Sequence, residues 1–171
     1  KSILDASKME AGKMPVSLIS INAVQLIDDI CKQFDLQAKS KGVLLSFEAG
    51  SDKIMVRADR ELLSRVLQNL LVNALKYTAG PKNVVLSVKR DGHNALFCVA
   101  NDGPGIPKRY REKIFEKYFQ IEIGDDRKRY GVGLGLAFCK MATEAMGGKI
   151  WVESEKEKDV SFKVALKMVQ E

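Results

Sequence analysis

Three polar residues share one face of a helix predicted over residues 59–77. At 100° per residue, Asn69, Asn73 and Lys76 fall within about 60° of one another, roughly opposite an apolar stripe. Amide oxygens suit a hydrated Mg²⁺ that carries phosphates, and an ammonium group adds positive charge for those phosphates. Taken alone, these three residues are better explained as a solvated polar face.

A glycine-containing segment, residues 101–107, directly follows a predicted strand and reads Asn-Asp-Gly-Pro-Gly-Ile-Pro. Gly103 and Gly105 are two positions apart, which lets the backbone turn sharply and approach a flat ligand closely. A plain turn at the end of a strand explains the same residues equally well.

A second glycine cluster, residues 131–135, precedes a predicted helix that ends near Met146. Glycine at every second position exposes backbone N–H groups at the positive end of that helix, where phosphate is attracted. The cluster is not a Walker loop. It is not a dinucleotide fingerprint either, because Leu136 occupies the third glycine position of that motif. A flexible linker before a helix is the alternative.

Some segments of the chain have apolar residues at helical spacing, and others have them at every second position. These segments predict separate helices and strands. This order predicts an α+β fold, a two-layer sandwich with helices on one face of a mixed, mainly antiparallel sheet. A long loop over residues 102–130 separates the two glycine segments. Helices are predicted at residues 22–42, 59–77 and 131–146, and strands at residues 43–48, 54–58, 84–89, 95–100, 149–154 and 160–168.

The net charge of +6 raises the question of nucleic-acid binding. Basic residues are scattered, with one local excess in residues 107–130, which suits the phosphates of a small ligand as well as a nucleic-acid backbone. No nucleic-acid motif accompanies it, so a DNA-binding module rests on net charge alone and we expect no nucleic-acid partner.

The longest apolar run, residues 95–100, is far shorter than the ~20 residues of a membrane helix. We therefore expect a cytoplasmic chain without direct membrane contact, although the full-length protein could be anchored elsewhere. Cys31, Cys98 and Cys139 lack metal-ligand spacing, and we interpret them as reduced, mostly buried thiols.

Together and in this order, these segments resemble the sequence boxes of the catalytic, ATP-binding domain of sensor histidine kinases, a branch of the GHKL ATPases. Residues 68–77 resemble the N box, residues 101–106 the first glycine box, residues 114–120 the F box and residues 131–136 the second glycine box. Residues 2–13 resemble the end of the second helix of a dimerisation and phosphoacceptor domain. The resemblance covers nearly the whole chain.

The resemblance implies that Mg-ATP lies between the helix of Asn73 and a flexible lid over residues 105–131. Asn73 would be the Mg²⁺ ligand, Asn69 and Lys76 the catalytic residues, and Tyr77 would pack near the nucleotide. The implied nucleotide-binding residues are Asn69, Asn73, Lys76, Tyr77, Asn101, Gly103, Gly105, Ile106, Arg127, Arg129, Gly131, Val132, Gly133, Leu134, Gly135 and, near adenine, Ser161.

Asn69 also distinguishes between branches of this superfamily. The hydrolytic branches carry a Glu at this position that activates water, and an amide cannot act as a general base at neutral pH. The resemblance therefore implies a site that holds ATP until a protein nucleophile arrives, which favours a kinase over a gyrase-like or chaperone-like ATPase.

Two positions depart from the family pattern. Asn101 replaces an Asp that accepts a hydrogen bond from the adenine amino group, so we expect ATP binding with reduced affinity or reduced purine discrimination. Gln120 replaces an Arg that can reach phosphate, and Arg127 or Arg129 is the expected substitute. These departures keep an alternative open, a degenerate nucleotide-binding regulatory domain without kinase activity.

The resemblance implies that residues 1–14 end the second phosphoacceptor helix and that residues 15–171 form the catalytic domain. The domain would donate the γ-phosphate of ATP to a histidine on phosphoacceptor helices of the same full-length protein, in cis or in trans. His93, the one histidine, lies in a predicted hairpin turn, so this chain should bind ATP without autophosphorylating. A response regulator receiver domain would be the next partner. The resemblance implies that the full-length protein is a homodimer. Whether this fragment alone is monomeric stays open.

Overall fold

A computed structural model describes residues 15–50, 53–78, 82–121, 133–155 and 159–169. It confirms the predicted α+β sandwich, in which helices pack on one face of a mixed sheet. The predicted phosphoacceptor segment, residues 1–14, lies outside the described residues. The elements are β1 (Ile19–Asn22), α1 (Ala23–Ser40), β2 (Leu44–Ala49), β3 (Met55–Ala58), α2 (Arg60–Tyr77), β4 (Asn83–Asp91), β5 (Asn94–Asn101), α3 (Gly135–Ala145), β6 (Lys149–Glu153) and β7 (Val160–Lys167).

The main sheet has five strands in the order β2-β4-β5-β7-β6. Only the β2–β4 pair is parallel, and the other three pairs are antiparallel. Along β7, Val160, Phe162 and Val164 are buried, whereas the alternating residues Ser161 and Lys163 are half-exposed. Because side chains alternate across a strand, the helices cover one face of this sheet and leave the other partly open.

Helix α2 forms where the sequence predicts it because it has both a cap and an apolar stripe. The Asp59 carboxylate accepts hydrogen bonds from the backbone N–H groups of Glu61 and Leu62. The stripe packs against the sheet and the neighbouring helices, which turns the polar side of the helix outward. The buried residues of α2 are Leu62, Leu63, Val66, Leu67, Leu70, Leu71, Ala74 and Leu75.

Two features of the fold differ from the predicted order of elements. Strand β1 was not predicted, and it pairs antiparallel with β3 in a separate two-stranded ladder. From the sequence, residues 109–117 predict one helical turn within the loop after β5, and the structure has two 3-10 turns there, Lys108–Tyr110 and Lys113–Phe115. No helix in the part of the chain that the structure describes is long and apolar enough to cross a membrane.

Candidate functional site

A cavity of about 660 Å³ lies between α2, the loop that follows β5 and the start of α3. This volume falls in the usual range for small-molecule sites, about 300–1,000 Å³. Ten of the residues predicted from the sequence line it: Asn69, Asn73, Lys76, Tyr77, Asn101, Gly105, Ile106, Gly133, Leu134 and Gly135. Four further predicted residues, Arg127, Arg129, Gly131 and Val132, lie outside the described residues.

The polar face of α2 forms one wall of the cavity. Asn69, Asn73 and Lys76 are half-buried and line the cavity, and none of them is buried against the core. The Lys76 Nζ lies 4.8 Å from the centre of the Tyr77 ring, which is itself about half exposed. The spacing that predicted a shared face therefore places two amides and one ammonium group beside a common space.

The amide of Asn69 is hydrogen-bonded to a buried thiol on the neighbouring helix. Cys139 on α3 is fully buried, makes a side-chain hydrogen bond with Asn69, and lies with its Sγ 3.6 Å from the Val66 carbonyl oxygen. Burial raises the pKa of the Cys139 thiol to about 12, so the thiol stays protonated at neutral pH. The packing of α3 on α2 thus helps to orient Asn69.

Asn101 lies at one end of the cavity, where β5 stops. It is only 6% exposed, and its Nδ2 donates a hydrogen bond of 3.0 Å to Thr78 Oγ1. That bond leaves Oδ1 as the atom of the carboxamide that can accept from a ligand. Ile106, Val160 and Phe162 add apolar wall at this end.

Gly103 supports this end of the cavity without lining it. A Cβ at this position would overlap Nδ2 of Asn101 and would lie 3.2 Å from the Tyr77 carbonyl oxygen. The glycine therefore lets the chain turn directly behind the Asn101 amide. The ligand contact of Gly103 stays a prediction.

The opposite end of the cavity is formed by the start of α3. The first-turn N–H groups of a helix have no partner within the helix, and this helix has no acidic side chain in its first turn. Leu134 and Gly135 at the helix start line the cavity together with Gly133. This end therefore presents positive backbone charge to an anion, as the glycine cluster predicted.

Gly133 adopts a backbone conformation that its neighbours require. Its φ is +72°, and its carbonyl oxygen accepts a 3.0 Å hydrogen bond from the Tyr118 N–H. A Cβ at residue 133 would lie 3.0 Å from both the Cα and the carbonyl carbon of Tyr118. This close approach joins Tyr118, within the loop after β5, to the start of α3.

Two residues that the sequence analysis missed fix the loop after β5. The Ile106 N–H donates to Ser154 Oγ over 3.1 Å, and the Arg111 guanidinium donates to the carbonyl oxygens of Ile106 and Ser154. Ser154 is 48 positions from Ile106 in sequence. A contact between residues so far apart in the sequence produces no local periodic pattern, so the sequence could not predict it.

Ser161, which we predicted to approach a bound base, does not line the main cavity. Ser161 pairs with Ala100 on the half-exposed face of the sheet, and it lines a different, smaller depression. Its neighbours Val160 and Phe162 point to the opposite face and line the main cavity. His93 is exposed in the β4–β5 turn, as predicted.

The cavity also contains wall residues that the prediction did not assign to ligand binding. Arg65 and Gln68 extend the α2 wall towards the α3 end, and Gln120 from the F box faces the same space. Among the described residues, no cluster of three or more His, Cys, Asp or Glu side chains could hold a metal ion. The oxygen donors on the α2 wall are instead the neutral amides of Gln68, Asn69 and Asn73.

Comparisons with known proteins identify the family of this chain. Residues 58–170 match the family described as histidine kinase-, DNA gyrase B-, and HSP90-like ATPase. The sensor histidine kinase YcbM of Bacillus subtilis (strain 168) is 31% identical over 170 residues, which cover 97% of this chain and 53% of that protein. This chain thus spans about half the length of that curated relative.

Two solved structures are similar to this fold. The catalytic domain of histidine kinase ThkA, in a nucleotide-free form, has a TM-score of 0.78 at 29% identity, covering 88% of this chain and 95% of that chain. Full-length ShkA in complex with AMPPNP has a TM-score of 0.87 at 27% identity, covering 99% of this chain and 35% of that chain.

Proposed function

Because the chain belongs to the histidine kinase-, DNA gyrase B-, and HSP90-like ATPase family, we propose that it is the ATP-binding catalytic domain of a sensor histidine kinase. The observation that carries the proposal is the cavity between the amide-bearing face of α2 and the N-terminus of α3. The AMPPNP bound to ShkA supports a nucleotide as the ligand. Within the chain, residues 15–171 form this domain and residues 1–14 end a phosphoacceptor helix.

The base of ATP occupies the end of the cavity at Asn101. This end is enclosed by apolar side chains and offers one buried carboxamide oxygen, which suits the amino edge of adenine. The triphosphate then extends along α2 towards the N–H groups at the start of α3. Lys76 and the positive helix end both favour this direction.

Mg²⁺ fits the donor set on the α2 wall. It is usually held by few protein oxygens together with waters and substrate phosphates, and it neutralises charge between the β- and γ-phosphates when bound. Asn73 is the proposed ligand. Asn69 lies one turn away and, as an amide, cannot take a proton from water, so the chain holds the nucleotide without activating hydrolysis.

The proposed nucleophile is a histidine on separate phosphoacceptor helices of the same full-length protein, and the phosphoryl group passes next to a response regulator. The three cysteines are free thiols, which suits a reducing, ATP-containing cytoplasm. The alternative of a degenerate regulatory domain is not favoured, because Asn69, Asn73 and Lys76 are all present on the cavity wall.

Phosphotransfer from γ-labelled ATP tests the proposal. The chain is mixed with Mg²⁺, labelled ATP and the histidine-bearing helical domain of the same protein, and the label is followed on each polypeptide. We expect acid-labile label on the helical domain only, and its loss in the Asn73→Ala variant. Steady ATP hydrolysis without labelling, or label on this chain itself, would contradict the proposal.

A further inference from the structure

A cation that the sequence analysis did not single out lies at the α3 end of the cavity. Arg65 is on α2, one helical turn before Asn69, and its side chain lines the cavity. It lies 11 residues before Lys76 on the same helix, which is about 16 Å along the axis. Lys76 and Arg65 therefore mark two well-separated positions on one wall.

The guanidinium of Arg65 is held against α3. Its Cζ lies 4.3 Å from the centre of the Phe138 ring, and Phe138 is buried in the first turn of that helix. A cation over an aromatic ring is attracted by the ring's π face, and a guanidinium carries five N–H donors in its plane. The guanidinium of Arg65 therefore lies beside the helix start that attracts phosphate, on the wall of the cavity.

The order of residues along α2 indicates which part of the nucleotide the N–H groups of Arg65 would contact. Thr78 and Asn101 fix the base end, Lys76 and Asn73 follow, and Asn69 and then Arg65 come last. This order, which rests on the proposed function, places the terminal phosphate nearest to Arg65. We propose that Arg65 is a catalytic residue that donates hydrogen bonds to the γ-phosphoryl oxygens during transfer.

In that step the bond between the γ-phosphorus and the bridging oxygen breaks, and its electron pair leaves with ADP. The new bond forms between the γ-phosphorus and an unprotonated ring nitrogen of the acceptor histidine. Charge on the three γ-phosphoryl oxygens has to be stabilised throughout, which is the role that a fixed guanidinium performs in phosphoryl transfer.

A neutral residue on the loop side of the cavity supports a role for a cation on α2 in phosphate binding. Gln120, which ends the F box and faces the same cavity, is neutral. The arginines that we expected to substitute, Arg127 and Arg129, lie outside the described residues. Arg65 lies on a helix whose buried apolar stripe fixes it against the core.

The test compares ATP with ADP, because only ATP carries the γ-phosphate. Binding of each Mg-nucleotide is measured by calorimetry for the wild type and for Arg65→Gln. We expect ATP affinity to fall about tenfold, as for loss of one charge-assisted contact, while ADP affinity stays within about twofold of the wild type. The phosphotransfer rate should fall about 10²- to 10³-fold, as when a fixed transition-state donor is removed.

Arg60→Gln is the matched control, since Arg60 is on the same helix but faces away from the cavity and pairs with Asp29 over 3.7 Å. It should leave both affinities and the rate unchanged. Arg65→Lys keeps the positive charge and loses the planar arrangement of N–H donors. It is the second variant to use if Arg65→Gln unfolds at a much lower temperature than the wild type. It should recover part of the ATP affinity and less of the rate.

The inference is overturned if Arg65→Gln lowers ATP and ADP affinity by the same factor, or lowers neither. It is equally overturned if the transfer rate is unchanged. These results differ from a failure of the proposed function, in which the wild-type chain itself would bind no Mg-ATP or transfer no phosphate.

Discussion

The two ends of the cavity are built in different ways. We call the end at Asn101, proposed for the base, the base end, and the opposite end, proposed for the triphosphate, the phosphate end. The base end is formed where β5 stops, with Asn101 almost fully buried and hydrogen-bonded to Thr78. The phosphate end is formed by half-buried side chains of α2 and by the start of α3. One end is thus fixed by sheet register, and the other by how two helices pack together.

This difference predicts different consequences of substitution. At the base end the proposed ligand contact is one buried carboxamide, that of Asn101, so a change there should alter which base is accepted. At the phosphate end Asn69 is hydrogen-bonded to Cys139 and Arg65 stacks on Phe138, so the α2–α3 packing positions polar groups for the ligand. Changes at that end should alter metal-dependent affinity and rate.

The largest effect is expected for Asn73→Ala. Removing the proposed Mg²⁺ ligand should weaken Mg-ATP binding by more than about 100-fold, the upper end of the loss seen for outer-shell partners of a metal. Calorimetry with Mg²⁺ and with a chelator measures it, and the difference between variant and wild type should vanish in chelator. Asn94→Ala, at the first residue of β5 and outside the cavity lining, is the control. A variant that keeps the wild-type response to Mg²⁺ would show that Asn73 is not the ligand.

A smaller effect is expected for Gly133→Ala, which tests the junction at the phosphate end. An alanine at φ +72° is strained by about 1–2 kcal/mol, and its Cβ would press on the Tyr118 backbone. The unfolding temperature should fall by about 2–8 °C. Gly135→Ala is the matched control, because a Cβ at that position meets no atom within 4 Å. Equal unfolding temperatures for the two variants would contradict the tight approach at Gly133.

The smallest effect is expected for Asn101→Asp at the base end. A threonine hydroxyl can donate or accept, so the Asn101 carboxamide can turn over, keep its bond to Thr78 and offer either an acceptor or a donor to the base. We expect the wild type to bind GTP within about tenfold of ATP, and Asp to increase the preference for ATP by about tenfold through a charge-assisted bond. Competition binding of the two nucleotides measures this. A wild-type affinity for GTP far below that for ATP would contradict the expectation.

Local patterns predicted the parts of the site that depend on one element. Helical spacing placed Asn69 and Asn73 on one face, and the glycines before α3 marked its exposed N-terminus. The contacts that join elements had no such signal. The Asn101–Thr78 bond spans 23 positions, and the thiol of Cys139 reaches Val66 across 73.

The position of Ser161 outside the main cavity has a related cause. The sequence indicates which strand a residue belongs to, but the face of the sheet on which its side chain lies depends on the register of that strand. A shift of the register by one residue moves a side chain to the other side of the sheet. The cavity face of β7 begins with Val160, so the hydroxyl of Ser161 lies behind the sheet. Strand β1 was missed because its four residues carry too little periodicity.

Backbone amide chemical-shift mapping with Mg-ATP tests the location of the nucleotide most directly. With the nucleotide between α2 and the start of α3, the largest changes should fall at Asn73, Asn101 and residues 133–135, and Cys98 and Ser161 on the open face should change least. Changes centred on Cys98 and Ser161, with none along the α2 wall, would contradict the proposed site.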